Sequence, residues 1–440
     1  MINLYKHQAD ELEATKDLNK VAYYHDMGLG KTYTGAEKLI RLGAKVNLVI
    51  CQKSKIDDWI EHFINNYHKS TLVFDLTDKS DFAAFFKCQC DGHLPFIGVI
   101  NYELAFRRKE LLQLKDFTLM LDESSLIQNE TAKRSKFIMK LNYKNLILLS
   151  GTPTSGKYER LWSQLHMLGW NISKDLFWRQ YVDTEIIDNQ GFPLKVVRGY
   201  KNVDRLKSKM RDYGCRFLKT DEVFDLPDQV FNEIKVNTTP EYRTFKRDRI
   251  VTITSPIKVS ENQDGITCSS TVTQFVGDTT LTKMLYERQL CGSYNANKLE
   301  ALKDLLESSD DRIIIFYNFN DEARVIVDLC EELNRPYSMV NGQVKDLTNW
   351  NENNNCVLLG QYQAASMGLN LQQANKIIYF TPPLSSELFE QSKKRTHRIG
   401  QKETCFYYKL ICKNSIEEKI YRVLATRRDY TDKLFEEEED

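Results

Sequence analysis

Residues 26–32 read DMGLGKT, and their types and spacing are those of a loop that binds a polyphosphate. Gly28 and Gly30 let the backbone turn its N–H groups onto an anion with no Cβ in the way. Lys31 can then reach the β- and γ-phosphates and the Thr32 hydroxyl can join a Mg²⁺ shell, with Asp26, Met27 and Leu29 completing the loop. The usual pattern carries a glycine five positions before Gly30, where this chain has His25. Cleaving a nucleoside triphosphate also needs a carboxylate for the metal and a group that orients or deprotonates water. Residues 119–123, LMLDE, supply both, and we assign Asp122 to the metal and Glu123 to the water. Alone, the first stretch is also compatible with a Gly-rich turn and the second with an ordinary acidic turn. Their combination points to a nucleotide site.

A third stretch, LFEQSKKRTHRIGQ at residues 388–401, is basic. A helix over 384–398 places Gln391, Arg395 and Arg398 at i, i+4 and i+7, on one face, with Gly400 to end it. Two arginines so aligned could stabilise charge on a γ-phosphate. On charge pattern alone the same segment reads as a solvated basic face.

The elements that must position these residues follow from hydropathy. Short apolar runs at 21–24, 47–51, 71–74, 96–100, 118–121 and 146–149 predict strands, with helices at 34–42, 55–65 and 132–140 between them. This alternation is that of an α/β unit with a parallel sheet, whose C-terminal edge would bring Asp122 and Glu123 to the phosphate loop and set the phosphates at a helix N-terminus. After Ser150 the pattern turns helical, at 159–168 and 203–213. Residues 184–187 and 194–198 flank DNQG, a good hairpin turn. Residues 251–259 and 266–272 flank 261–265 as a second hairpin, and 220–240 reads as a linker. Alternation resumes near Asn297, with strands at 312–316, 356–359, 376–380 and 404–410 and a helix at 320–333. The fold class is therefore α/β, with two parallel-sheet halves and a mostly helical middle that carries the hairpins.

The whole chain sets bounds. At 440 residues it has room for two or three domains, and 42% hydrophobic with 28% charged residues is a globular composition. No run of eighteen apolar residues occurs and the first residues lack the apolar core of a signal peptide, so neither membrane insertion nor secretion is expected. The ten cysteines show no zinc-site spacing, which suits a reduced, cytoplasmic protein. Lys plus Arg equals Asp plus Glu at 61 each, so bulk charge advertises no polyanion partner; a local basic groove would suffice for one. Basic residues outnumber acidic ones about two to one over 385–428, and residues 436–440 form an acidic tail.

Taken in order, the motifs resemble the Swi/Snf family of superfamily-2 helicase-like ATPases over almost the whole chain. YKHQ (5–8) looks like the adenine-reading element, which puts Gln8 on the base. DMGLGKT resembles motif I and LDESSLIQN (121–129) motif II. VICQKSKIDDWIEHF (49–63) is similar to motif Ia and VINYE (99–103) to motif Ib, which implies DNA-backbone contacts at Lys53, Ser54, Asn101 and Tyr102. LLSGTPTSG (148–156) looks like motif III, so Gly151 and Thr152, with Ser125 of motif II, would couple nucleotide state to closure. CRFLKTDEVFDLP (215–227) resembles the bridge between lobes and IIIFYNFNDEA (313–323) motif IV. MGLNLQQANKIIYF (367–380) is similar to motif V and QSKKRTHRIGQ (391–401) to motif VI, placing Gly368 and Gln401 at the nucleotide beside Arg395 and Arg398. Ser125 stands where motif II usually has a histidine, Gln52 where motif Ia has proline, and Gln361, Tyr362, Ala365 and Ser366 where motif V has a Ser-Thr pair and two glycines.

The resemblance implies a RecA-like lobe over 1–219 with a helical and hairpin extension, a linker and insertion over 220–296, and a second RecA-like lobe over 297–440. It implies ATP and Mg²⁺ as cofactors and DNA as partner, duplex, forked or branched, with weak sequence preference and the protein a monomer on it. FWRQYVD (177–183) and the hairpin after it are similar to the fork-remodelling, annealing branch, and the short chain suits a compact bacterial or phage motor in the nucleoid. The expected activity is ATP-driven translocation with fork or junction remodelling by branch migration. Alternatives are a strand-separating helicase, a nucleotide-dependent DNA clamp with little turnover, and a small-molecule ATPase or kinase. The second hairpin suggests a strand-separating pin, but Glu261 and Asp264 at its tip repel phosphates, so surface decoration ranks ahead.

Overall fold

A computed structural model describes residues 3–91, 94–154, 156–189, 192–254, 258–262, 265–269, 272–365 and 371–435. The chain forms two compact units, Met1–Asp225 with Thr426–Asp440, and Leu226–Ala425.

Within the first unit, neighbouring residues of a strand alternate between two cores. Val21 and Tyr23 of β1 (Lys20–His25) pack with Ala36, Leu39 and Trp59 on one face of the sheet. Ala22 and Tyr24 pack with Leu48, Leu119 and Leu148 on the other. A strand buried on both faces has no polar side to present, which is why it reads as a continuous apolar run. Fully burying one such side chain is worth about 1.5–3 kcal/mol. The same holds for β2 (Val46–Cys51), β4 (Phe96–Asn101), β5 (Lys115–Asp122) and β6 (Asn142–Leu149), while β3 (Leu72–Asp75) forms an edge. An antiparallel hairpin of β7 (Val182–Asn189) and β8 (Phe192–Tyr200) stands apart from this sheet, and its turn, 190–191, lies outside the described residues. The strand β9 (Cys215–Leu218) then returns to lie beside β1. Among the described residues the sheet has seven strands in the order β3-β4-β2-β5-β6-β1-β9, all parallel.

The second unit repeats the plan. Its sheet runs β10 (Gln229–Val236), β20 (Cys405–Cys412), β19 (Lys376–Tyr379), β15 (Ile313–Tyr317), β18 (Val357–Gln361), β16 (Tyr337–Val340), β17 (Lys345–Asp346), parallel except for the last pair. Ile313, Ile315 and Tyr317 enter one core while Ile314 and Phe316 enter the other. The buried Lys298 donates to both carboxylate oxygens of Glu417 at 2.6 and 2.7 Å and to the Phe380 carbonyl at 3.0 Å, which ties a helix, Ala296–Glu307, to the start of the helix Ile416–Phe435 and to the end of β19.

One expectation is corrected here. The stretch 220–240 is not all linker, because β10 pairs with β20 from Gln229↔Cys405 to Val236↔Cys412. The second expected hairpin is present: β11 (Ile250–Thr254) pairs antiparallel with β14 (Val272–Val276), and β12 (Lys258–Asn262) with β13 (Gly265–Ser269), while 255–257 and 270–271 lie outside the described residues. Glu261 belongs to β12 opposite Ile266, and the tip, 263–264 with Asp264, lies outside the described residues. The cysteines described, Cys51, Cys215, Cys291, Cys330, Cys356, Cys405 and Cys412, are buried free thiols. Among the described residues no helix is long and apolar enough to cross a membrane.

Candidate nucleotide site and its neighbours

The parallel strands β1, β6 and β5 lie side by side and end at one edge of the sheet. The loop after β1 bends through Gly28 and Gly30, at φ of 92° and 70°, and Gly30 opens the helix α2 (Lys31–Arg41). A side chain at Gly30 would meet both a left-handed backbone and Gln8, whose Nε2 lies 2.3 Å from the Cβ position. Gln8, on α1 (Lys6–Ala14), is buried and donates Nε2 to the carbonyls of Leu29 and Gly30 at 3.1 and 3.3 Å, while its Oε1 accepts from Tyr5 N at 3.0 Å. Its amide therefore braces the phosphate loop. Lys31 Nζ donates to the carbonyls of His25 and Asp26 at 2.8 and 3.1 Å, and Thr32 stands beside it in the first turn of α2. The Asp26 carboxylate accepts from the backbone N and hydroxyl of Thr220 at 3.3 and 3.4 Å, and that hydroxyl also lies 3.3 Å from the Met27 carbonyl.

His25 is the last residue of β1 and fully buried. Its Nε2 lies 3.3 Å from Glu11 Oε2, and Arg216 of β9 grips the same carboxylate through Nε at 3.1 Å and Nη2 at 2.8 Å. Burial works against the Glu11 charge, yet the hydrogen bonds from His25 and Arg216 outweigh it and hold the carboxyl at about 2. Burial lowers His25, so the ring is neutral at pH 7 and Arg216 carries the positive charge. The glycine's substitute is thus part of the tie between α1, β1 and β9.

Asp122 ends β5, and Trp59 of helix α3 (Ile56–Tyr67) donates its indole N–H to Oδ2 at 2.8 Å. Burial raises the Asp122 carboxyl above its ordinary range, opposed by this hydrogen bond and by the charge of Lys31. Glu123 follows with a left-handed backbone, φ 60° and ψ 61°. Its Oε1 accepts from Ser125 Oγ at 2.8 Å and from Ser150 Oγ at 2.6 Å. Ser150, just past β6, also accepts the Thr152 N–H at 3.1 Å. A Cβ on Gly151 would lie 3.3 Å from Lys31 Nζ, so the segment after β6 runs close to the loop lysine while its Ser150 bonds the Glu123 carboxylate. Behind them the buried Gln164 accepts from Tyr24 and Ser124 on Oε1, at 2.9 and 2.8 Å, and donates Nε2 to the Pro153 carbonyl at 2.9 Å.

This arrangement fits a nucleotide with its metal. A loop with two left-handed glycines and a lysine at a helix start suits phosphates. Asp122 and Thr32 offer the hard oxygen donors that Mg²⁺ takes, one or two beside phosphate and water.

The remaining expected residues are placed unevenly. Lys53 and Ser54 follow β2 at the same sheet edge and are exposed, as a backbone contact requires. Asn101 and Tyr102 are buried instead. Asn101 Nδ2 donates to Glu103, and the Tyr102 hydroxyl donates to the carbonyl of Asp122 at 3.0 Å, so Tyr102 supports the turn after β5 rather than facing a ligand. In the second unit the helix expected over 384–398 spans only Ser386–Lys393. Beyond it the bonding is irregular: Lys394 N and His397 N still reach the carbonyls four residues back at 3.3 and 3.4 Å, but Arg395 N bonds Ser392 O, Arg398 N bonds Thr396 O and the Arg395 carbonyl accepts from Leu371 N at 3.3 Å, so Arg395 and Arg398 lie past the helix that carries Gln391. Gln401 spends Nε2 on the carbonyls of Gln372 and Ala374 at 3.2 and 3.0 Å and Oε1 on two backbone N–H groups, which makes it a brace for its loop. Gly368 lies outside the described residues.

Trp59, Ser150, Gln164 and Thr220 were not singled out by spacing. One signal was available for Trp59: a buried indole N–H needs an acceptor, and the apolar face Trp59, Phe63, Tyr67 buries it. The others act through partners far along the chain.

Comparison with known proteins bears on the whole arrangement. The family model for the SNF2-related domain matches residues 16–296, and that for the helicase conserved C-terminal domain matches 297–400. The chain is 24% identical to the mouse SWI/SNF-related matrix-associated actin-dependent regulator of chromatin subfamily A member 1, over 90% of this chain and 39% of that protein. It is 24% identical to a putative ATP-dependent helicase/translocase of Bacillus subtilis, over 94% of this chain and 46% of the other, so it spans less than half the length of either. Among solved structures, the Sulfolobus solfataricus SWI2/SNF2 ATPase core in complex with dsDNA is 21% identical, with a TM-score of 0.45 over 98% of this chain and 92% of that one. With more than half of its length matched by the first family model, the chain belongs to the SNF2-related family.

Proposed function

We propose that this protein is a DNA-stimulated ATPase that couples hydrolysis to movement along duplex or branched DNA, remodelling forks or junctions by branch migration as a monomer. The observation that carries the reading is the grouping of Lys31, at the start of α2 after β1, with Asp122 and Glu123 at the end of β5, around the segment after the intervening β6 whose Ser150 bonds Glu123 and whose Gly151 lies close to Lys31 Nζ. Lys31 and the loop N–H groups bind the phosphates. Thr32 and Asp122 would hold a Mg²⁺, which would neutralise charge on those phosphates. Glu123 orients the attacking water, and its links to Ser125 and Ser150 let the water-side carboxylate sense the segment 150–152. Arg395 and Arg398 contribute positive charge to the γ-phosphate. The relatives' descriptions as a helicase/translocase and a chromatin regulator support motion on DNA. Lys53 and Ser54 would contact its backbone, which predicts weak sequence preference and strong salt dependence.

The test is steady-state ATPase activity without nucleic acid and then with single-stranded, duplex and forked DNA and RNA. Strong stimulation by duplex or forked DNA is expected. Stimulation by single strands alone would favour a strand-separating helicase, and equal turnover throughout would refute a nucleic-acid motor. Glu123→Gln should keep ATP binding and lose hydrolysis. Arg398→Ala should keep DNA binding with a severely lowered rate, and full activity there would remove that arginine from the reaction.

A further inference from the structure

The strands β10 and β20 end side by side, Val236 opposite Cys412. Where the chain leaves them it forms, with the helix Pro240–Asp248, a groove of about 330 Å³. Its lining includes Asn237, Thr238, Arg243, Lys246, Lys413 and Asn414 over the buried ring of Tyr242. Three of these side chains are cations, and none of the lining residues is acidic. They come from separate pieces of chain, so the fold gathers them.

The frame of the groove is fixed while its cations stay at the mouth. Lys413 N donates to the Val236 carbonyl at 2.8 Å, and the Tyr242 hydroxyl accepts from Ile416 N at 3.0 Å. The Asn237 carbonyl accepts from both Asn295 and Asn297 at 3.1 Å. Lys246 Nζ donates to the carbonyl of Asn414, a residue in the left-handed region at φ 55°, at 2.8 Å. Arg243, Lys246 and Lys413 are exposed, and among the described residues no carboxylate pairs with Arg243 or Lys413. Their neighbour Arg247 differs, its Nε and Nη2 both donating to the Asp248 carboxylate at 2.7 Å. Uncompensated like charge in a concave site raises the local potential, which an anion relieves.

We propose that this groove is a phosphate subsite for a nucleic-acid backbone, with a phosphodiester group seated among Arg243, Lys246 and Lys413 and the Thr238 hydroxyl as a neutral donor. The inference rests on the nucleic-acid reading above and adds a contact in the second unit. Sites for small phosphorylated ligands bury most of the ligand among apolar walls. This one is lined by cationic and amide side chains and presents its cations to solvent, as backbone-tracking grooves do. Phosphate contacts carry no base information, so the subsite adds grip without sequence preference.

The experiment compares the full-length chain with R243Q/K246Q/K413Q and with the charge-preserving R243K/K246R/K413R. Binding to a fluorescent duplex of about 30 base pairs is measured between about 50 and 200 mM salt. Losing three phosphate contacts should flatten the plot of log K against log salt by about 0.9 per contact and weaken binding roughly 10- to 100-fold. ATP turnover without DNA should be unchanged, and the charge-preserving variant should bind like the parent. An unchanged slope and affinity in the glutamine variant, with the parent binding normally, overturns the subsite. Protection of the parent, but not that variant, from thermal unfolding by millimolar inorganic phosphate, with DNA affinity unaffected, would assign the groove to a free phosphate and overturn it too. A parent chain that binds no nucleic acid refutes the motor reading itself.

Discussion

The indole N–H of Trp59 donates to Oδ2 of Asp122 at 2.8 Å, fixing which carboxylate oxygen is left for other work. Partners that orient a metal-binding carboxylate typically matter 10- to 100-fold to metal affinity or activity. Trp59→Phe keeps most of the packing against Phe63 and removes only the donor. We expect the Mg²⁺ concentration for half-maximal ATPase to rise about tenfold. A Mg²⁺ titration identical to that of the parent would show the indole to be packing alone.

Gly30 combines a φ of +70° with a Cβ position 2.3 Å from Gln8 Nε2. Gly30→Ala should weaken nucleotide binding at least about tenfold, through a left-handed cost of about 1–2 kcal/mol and the collision. Adding Gln8→Ala removes the collision alone, so the double variant should recover part of the loss. Binding of a fluorescent ATP analogue measures both.

Gln164 gives one amide to Tyr24, Ser124 and Pro153. Replacing it with leucine leaves three buried polar groups without that partner, and an orphaned buried group costs about 1–3 kcal/mol. Urea unfolding of Gln164→Leu should show a loss of at least about 2 kcal/mol for the first unit. A loss near zero would mean that solvent replaces the amide.

Glu11 makes stability depend on acidity. Its folded pKa of about 2 lies below the ordinary 4.5, so the carboxylate's contribution is complete above pH 4.5 and is lost as pH falls toward 2. The gap in unfolding midpoint between the parent and Glu11→Gln should shrink as pH falls from about 4.5 toward 2. A gap that grows on acidification would contradict the assignment.

Lys298 and Glu417 are both fully buried. Lys298→Met strands the carboxylate and should cost about 3–5 kcal/mol, whereas Lys298→Met with Glu417→Leu should recover most of it. Chemical denaturation of the two variants makes the comparison.

Much of this was legible in the sequence because it is local. The phosphate loop is one contiguous string, and doubly buried strands announce themselves as apolar runs. What was misread depends on partners elsewhere. Counting helical turns to Arg398 missed that Leu371 takes the Arg395 carbonyl. The stretch before Pro240 passed for linker because β10 is an edge strand whose Gln229, Val230 and Phe231 remain exposed, so it shows no apolar run. Trp59 and Thr220 meet their acceptors 63 and 194 positions away, beyond any local pattern. Tyr102 lies inside a motif whose resemblance suggested a ligand contact, while its hydroxyl is spent on the Asp122 carbonyl.

The ties of Asp26 to Thr220 and of Glu11 to Arg216 give the protein a direction in time. The glycines and lysine of the loop leave the ribosome before β9 and Thr220, which tie that segment and follow about 190 residues later. A chain stalled or cut before residue 215 would carry the entire DMGLGKT string without the strand that fixes it. The supports of this loop are therefore in place only once residues 215–220 have been made, and a fragment ending before them would carry the motif without those ties.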